Sequence, residues 1–179
     1  MTLRLRFATG DSVISNAIRA GERDGWCTHV EAVMPDGFYL GAHFDGGVEE
    51  RLVGYDKTTM TRELFVDLDF AVDIPPRLWH VLKSGVPLIP DYQVINVYEG
   101  KFYKFLRDQL GKPYDLTAVA GLAIGRDWRE LDSWFCSELI AAALESCGYL
   151  PKLSAADSHI SPRDLLLVLS GRMVIPDAT

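Results

Sequence analysis

The 179-residue chain lacks any apolar run near the roughly 20 residues that a bilayer-crossing helix needs. Its opening Met-Thr-Leu-Arg-Leu-Arg-Phe has no signal-peptide hydrophobic region. No transmembrane segment and a cytoplasmic location are therefore expected, with export by another route left open. There are only three cysteines and no C-x-x-C pair, which excludes a disulfide framework and points to a reducing compartment. Neither a Walker loop nor a Gly-rich dinucleotide fingerprint is present, so no cofactor is expected. Positive charge is scarce as well. Lys and Arg number 18 against 25 Asp and Glu, and the formal net charge of -7 argues against a nucleic-acid partner. With 48% hydrophobic and 24% charged residues, and no repeat or linker, what remains reads as one globular domain over 1–179.

The patterning predicts strands early and helices late, hence an α+β domain. Leu3 to Phe7 alternates like a strand. Asp11 is placed to cap a helix through Ala20, with Val13, Ile14, Ala17 and Ile18 on one face and Gly21 ending it. Thr28–Met34 and Phe38–Phe44 flank Pro35-Asp36-Gly37, a hairpin signal. Further strands are expected at Val48–Val53, Glu63–Val72 and Gln93–Val97, with a short helix from Pro75-Pro76 to Leu82. Helices are expected at Glu99–Leu110, stopped by Gly111, and at Leu116–Ile124, closed by Gly125. Two more are expected at Ser133–Cys147, capped by Gly148, and at Ser161–Leu169, where Pro162 takes the first helical position. Arg172–Ile175 reads as a closing strand.

Cys136 lies in the first turn of the strongest helical pattern. With Ser133 as N-cap it is the third helical residue, where the helix dipole favours a thiolate. A buried core thiol is the plain alternative, and Cys147, on the apolar stripe with Ile140 and Ala143, exemplifies it. A nucleophilic thiol needs a base. In His29-Val30-Glu31 the imidazole and carboxylate project from the same side of a strand, so Glu31 can fix the tautomer and stabilise the charged ring. The alternative is a half-exposed strand with an ordinary polar face. A three-residue hairpin loop would set Met34 against Phe38, Gly41 against Glu31 and His43 against His29. Gly41 then leaves room for Glu31, and His43 becomes a second candidate to orient His29. Metal chemistry is disfavoured. His29-Val30-Glu31 matches half of a zinc deaminase motif whose P-C-x-x-C half is missing, and no paired spacing supports zinc on Cys27, His29 and Cys136.

These residues, with Gly111-Lys112-Pro113-Tyr114-Asp115, Phe135-Cys136-Ser137-Glu138-Leu139, Ser161-Pro162-Arg163-Asp164-Leu165 and the opening Thr9–Ser15, resemble a known family. They are similar to the circularly permuted papain-like hydrolases of the NlpC/p60 superfamily, the YiiX-like branch. The resemblance spans about Thr9 to Leu165 and rests on the joint order of short motifs, with His29 before Cys136. It implies an antiparallel sheet packed against a helix carrying the nucleophile at its N-terminus. It further implies Cys136 as nucleophile, His29 as base, Glu31 as orienting carboxylate and Tyr114 as a substrate or oxyanion donor; a core tyrosine is the other reading of Tyr114. Many relatives carry an acidic residue on the second hairpin strand, where this chain has Leu40-Gly41-Ala42. The expected activity is a cysteine amidase or peptidase acting on a peptide, cell-wall peptide or acylated small molecule. An acyltransferase using the same thioester, or a non-catalytic binding or structural module, are the rivals.

Overall fold

A computed structural model of the chain describes residues 3–22, 25–68, 91–124, 132–152, 160–171 and 173–174. The expected helix from Pro75 and the closing Gly125 lie outside them.

Among the described residues six strands form one antiparallel sheet in the order β4-β3-β2-β1-β5-β6. They are β1 (Leu3–Gly10), β2 (His29–Val33), β3 (Phe38–His43), β4 (Gly47–Leu52), β5 (Met60–Leu68) and β6 (Met173–Val174). The helices are α1 (Val13–Gly21), α2 (Asp91–Asp108), α3 (Leu116–Ile124), α4 (Cys136–Ser146) and α5 (Pro162–Ser170). The expected α+β class is therefore present. Alternation along the strands builds one apolar face from Leu3, Leu5, Phe7, Val30, Ala32, Leu40 and Val66. Helix α4 packs on β2 and β3, and α2 packs on α4, closing the core with Leu106, Leu139, Ile140 and Leu144. Among the described residues no helix is long and apolar enough to cross a membrane.

Several expectations are corrected. Helix α1 is capped by Ser12, whose hydroxyl accepts from the Ser15 N–H, and not by Asp11, whose own N–H is tied to Thr59. Its buried face excludes Val13, which is 82% exposed. Gln93–Val97 lies in α2 and is not a strand. The β-branched run is short, and its weak preference yields to continuity with the amphipathic turns that follow. Strand β5 starts earlier than read, at Met60. Helix α4 starts at Cys136, not Ser133. Trp134 is instead drawn into a parallel bridge with Tyr114, which holds the segment extended up to the N-cap Phe135. Cys136 is thus the first helical residue, not the third. Helix α5 follows its sequence signals closely, with Ser161 and Asp164 forming a capping box around Pro162.

Candidate active site

Strand β2 brings His29 and Glu31 to one face, and their side chains meet at 3.3 Å between Nε2 and Oε2. The hairpin register is the expected one, with Ala32 opposite Leu40 and Val33 opposite Tyr39. Gly41 consequently sits against Glu31. A Cβ at Gly41 would lie 2.9 Å from the Glu31 Cβ, so only glycine lets the carboxylate occupy this place. Gly41→Ala should therefore cost about 1–3 kcal/mol in urea unfolding through overpacking. An unchanged midpoint would show that β3 yields freely.

The Cys136 thiol at the start of α4, far away in the chain, is close enough to His29 to raise its imidazole electrostatically. The loop between α2 and α3 holds the entry to α4 in place. Gly111 N–H donates to Val48 C=O and Val48 N–H to Lys112 C=O, docking the loop on β4. Trp134 N–H then bonds Pro113 C=O, and Asp115 N–H bonds Trp134 C=O, fixing the entry to α4. Asp115 accepts from Thr117 Oγ1 at 2.7 Å and from the Ala118 N–H at 2.8 Å, which starts α3. Tyr114 packs edge-on against Phe135 and lines the same cleft as His29. Burial and the neighbouring Cys136 raise its phenol well above the usual range, so it remains a proton donor.

The electrostatics separate the two candidates for orienting His29. Burial alone would lower the His29 imidazole, but its bonds to Cys136 and Glu31 outweigh that and raise it to about 10. Burial alone would raise the Glu31 carboxyl, but His29 and Arg6 hold it below its ordinary value. His43 is pushed down to about 2 by burial and by the charges of His29, Arg51 and Arg6. It is neutral beside a charged His29, with ring centroids 4.9 Å apart. Of these two, Glu31 is the one with a carboxylate able to steady an imidazolium.

Glu31 is not on a half-exposed strand: it is fully buried. The reason is Arg6, which sequence reading passed over as the solvent-side residue of an alternating strand. Its guanidinium is 1% exposed and bonds Glu31 at 2.5 Å, Glu63 at 2.7 Å and Asp56 at 2.9 Å. The ring of Tyr39 lies 4.8 Å from it. Tyr55 adds a hydroxyl 3.4 Å from both Glu31 Oε2 and His43 Nδ1. Thus the loop between β4 and β5 covers the sheet's second face. No local signal announces that cover, because Arg6, Glu31, Tyr55 and Asp56 meet only through strand pairing.

A cleft of about 590 Å³ opens beside His29, His43 and Tyr114, with Ser12, Ile14, Phe44, Asp56 and Met60 among its walls. That volume suits a small ligand or the end of a chain. The Cys136 sulfur is fully buried and is not part of the lining. Cys27 and Cys147 are buried too, and burial raises both thiols, Cys27 to about 12. Neither a protein-family model nor a curated protein sequence matches the chain.

Proposed function

We propose that the protein is a cysteine amidase or peptidase of permuted papain-like design, similar to the NlpC/p60 hydrolases. One observation carries the reading: a single imidazole, His29, touches a buried carboxylate and is electrostatically coupled to a thiol at a helix start. Cys136 attacks the substrate carbonyl as a thiolate while His29 holds the proton, and His29 then protonates the leaving amine. An acyl-thioester remains on Cys136. Water, activated by the now neutral imidazole, releases the acid and restores the thiol. At the start of α4 the N–H groups of Cys136, Ser137 and Glu138 precede the first intrahelical bond, which runs from Leu139 N–H to Phe135 C=O. The Cys136 N–H serves as an oxyanion donor, and the Tyr114 phenol as a second proton donor in the cleft.

Two measurements test this reading. Iodoacetamide on the native protein should alkylate Cys136 well before Cys27 and Cys147. All three are buried, so the difference would come from the imidazolium partner and not from exposure. Incubation with a p-nitrophenyl acyl ester should add the acyl mass to the Cys136 peptide after acid quench. Equal labelling of the three thiols, or acylation that persists in Cys136→Ser, removes the hydrolase reading.

A further inference from the structure

We propose that His29, His43 and Glu31 form a binding site for one borderline-soft divalent cation, Zn²⁺, at the edge of the cleft. Their ligand atoms lie within 4.8 Å of one another. The edges to Glu31 Oε2 are 3.3 Å from His29 Nε2 and 3.7 Å from His43 Nε2. Zinc bonds of about 2.0–2.2 Å in tetrahedral array give edges of roughly 3.4 Å, so these two already fit, and the imidazoles need approach by about an ångström.

A second observation is independent of the clustering. His43 Nε2 is buried without a hydrogen-bond partner, although His43 is only 4% exposed. Tyr55 explains its state. The phenol has one proton, and giving it to Glu31 Oε2 leaves its oxygen to accept from His43 Nδ1–H. The bare Nε2 lone pair then faces a carboxylate oxygen, two buried acceptors confronting each other. A cation between them gives the His43 lone pair the partner it lacks and relieves its opposition to the carboxylate. Metal-bound imidazoles commonly donate their other N–H to an outer partner, which is the part Tyr55 plays.

Charge agrees with the assignment. Arg6 occupies Glu31 Oε1, so Oε2 is the oxygen turned toward the two histidines; with His29 neutral as a ligand, Glu31, Asp56 and Glu63 surround that one guanidinium with two excess negative charges. One divalent ion neutralises them. The cleft that both histidines line is the entry path. The ion competes with the His29 proton for Nε2, so its binding removes the charged imidazole from Cys136. That consequence rests on the hydrolase reading; the site itself does not.

The test is titration of the reduced full-length chain with Zn²⁺ in metal-free buffer, followed by calorimetry, with Co²⁺ as an optical probe. One equivalent should bind, and His43→Ala should weaken it by at least about 10- to 100-fold. Cys136→Ser should keep the wild-type affinity. Co²⁺ bound to the wild-type protein should show d–d bands without a thiolate charge-transfer band, a result that does not depend on whether His43→Ala folds. No stoichiometric binding, an affinity indifferent to His43, or a thiolate band would each overturn the site. A protein that binds Zn²⁺ through His43 but never acylates Cys136 keeps this site and loses the hydrolase reading.

Discussion

Replacing His29 by alanine should slow iodoacetamide alkylation of native Cys136 by about 30-fold at neutral pH. A thiol without a cationic partner is only a few per cent thiolate there, and the thiolate is the nucleophile. Burial of the sulfur scales both rates by the same opening step, so the ratio isolates the imidazole. The pH dependence follows from the sign of the His29 shift. Its titration is raised from 6.5 to about 10, so the ring stays charged through neutral pH. The wild-type advantage over the variant should therefore persist through neutral pH and fade as pH rises through about 10, where the imidazole loses its charge. The same shift links to folding. A raised imidazole contributes its full stability below about pH 6.5, and that contribution is gone once pH exceeds about 10. Parallel pH profiles for the two proteins would mean that the thiol and imidazole are neighbours without being partners.

What could be read from sequence was local. The hairpin register followed from three loop residues, Pro35-Asp36-Gly37, and it set Gly41 against Glu31 and His43 beside His29. The capping signals of α5 were equally self-contained, whereas α2 ends at Asp108, ahead of the stop expected at Gly111. Errors arose where a distant segment decided the outcome. Ser133 is a good cap residue, yet the pairing of Trp134 with Tyr114 delayed α4 to Cys136. Val94, Ile95 and Val97 favour strands, yet α2 runs through them. The His29–Glu31 pair was visible because a strand alternates every two residues. Arg6 was invisible for the same reason: alternation opposite Leu5 and Phe7 reads as solvent-facing unless one knows that Tyr55 and Asp56 fold over that face.

Arg6→Met should be strongly destabilising, costing about 3–5 kcal/mol in urea unfolding. The substitution leaves Glu31 charged, fully buried and stripped of its closest counter-ion, and an uncompensated buried charge costs that much. For a chain of this length the melting temperature should fall by roughly 10 °C. His29 cannot make up the loss, since it approaches Glu31 only to 3.3 Å against 2.5 Å for Arg6. The cost should also depend on pH, with the sign fixed by Glu31. Its carboxyl is held below its ordinary 4.5 in the folded chain, by His29 and Arg6 against the opposing effect of burial. Its stabilising contribution is therefore present above about pH 4.5 and lost as pH falls through the depressed value. Hence the gap between wild type and Arg6→Met should narrow in acid. Combining Arg6→Met with Glu31→Leu should recover part of the loss, because two apolar side chains can replace a buried pair at little cost. Asp56 and Glu63, both partly exposed, would relax into solvent in that double variant. If the two substitutions add without recovery, Arg6 and Glu31 contribute independently, and Arg6 is packing for Tyr39 instead of the counter-ion that lets a carboxylate stand behind His29.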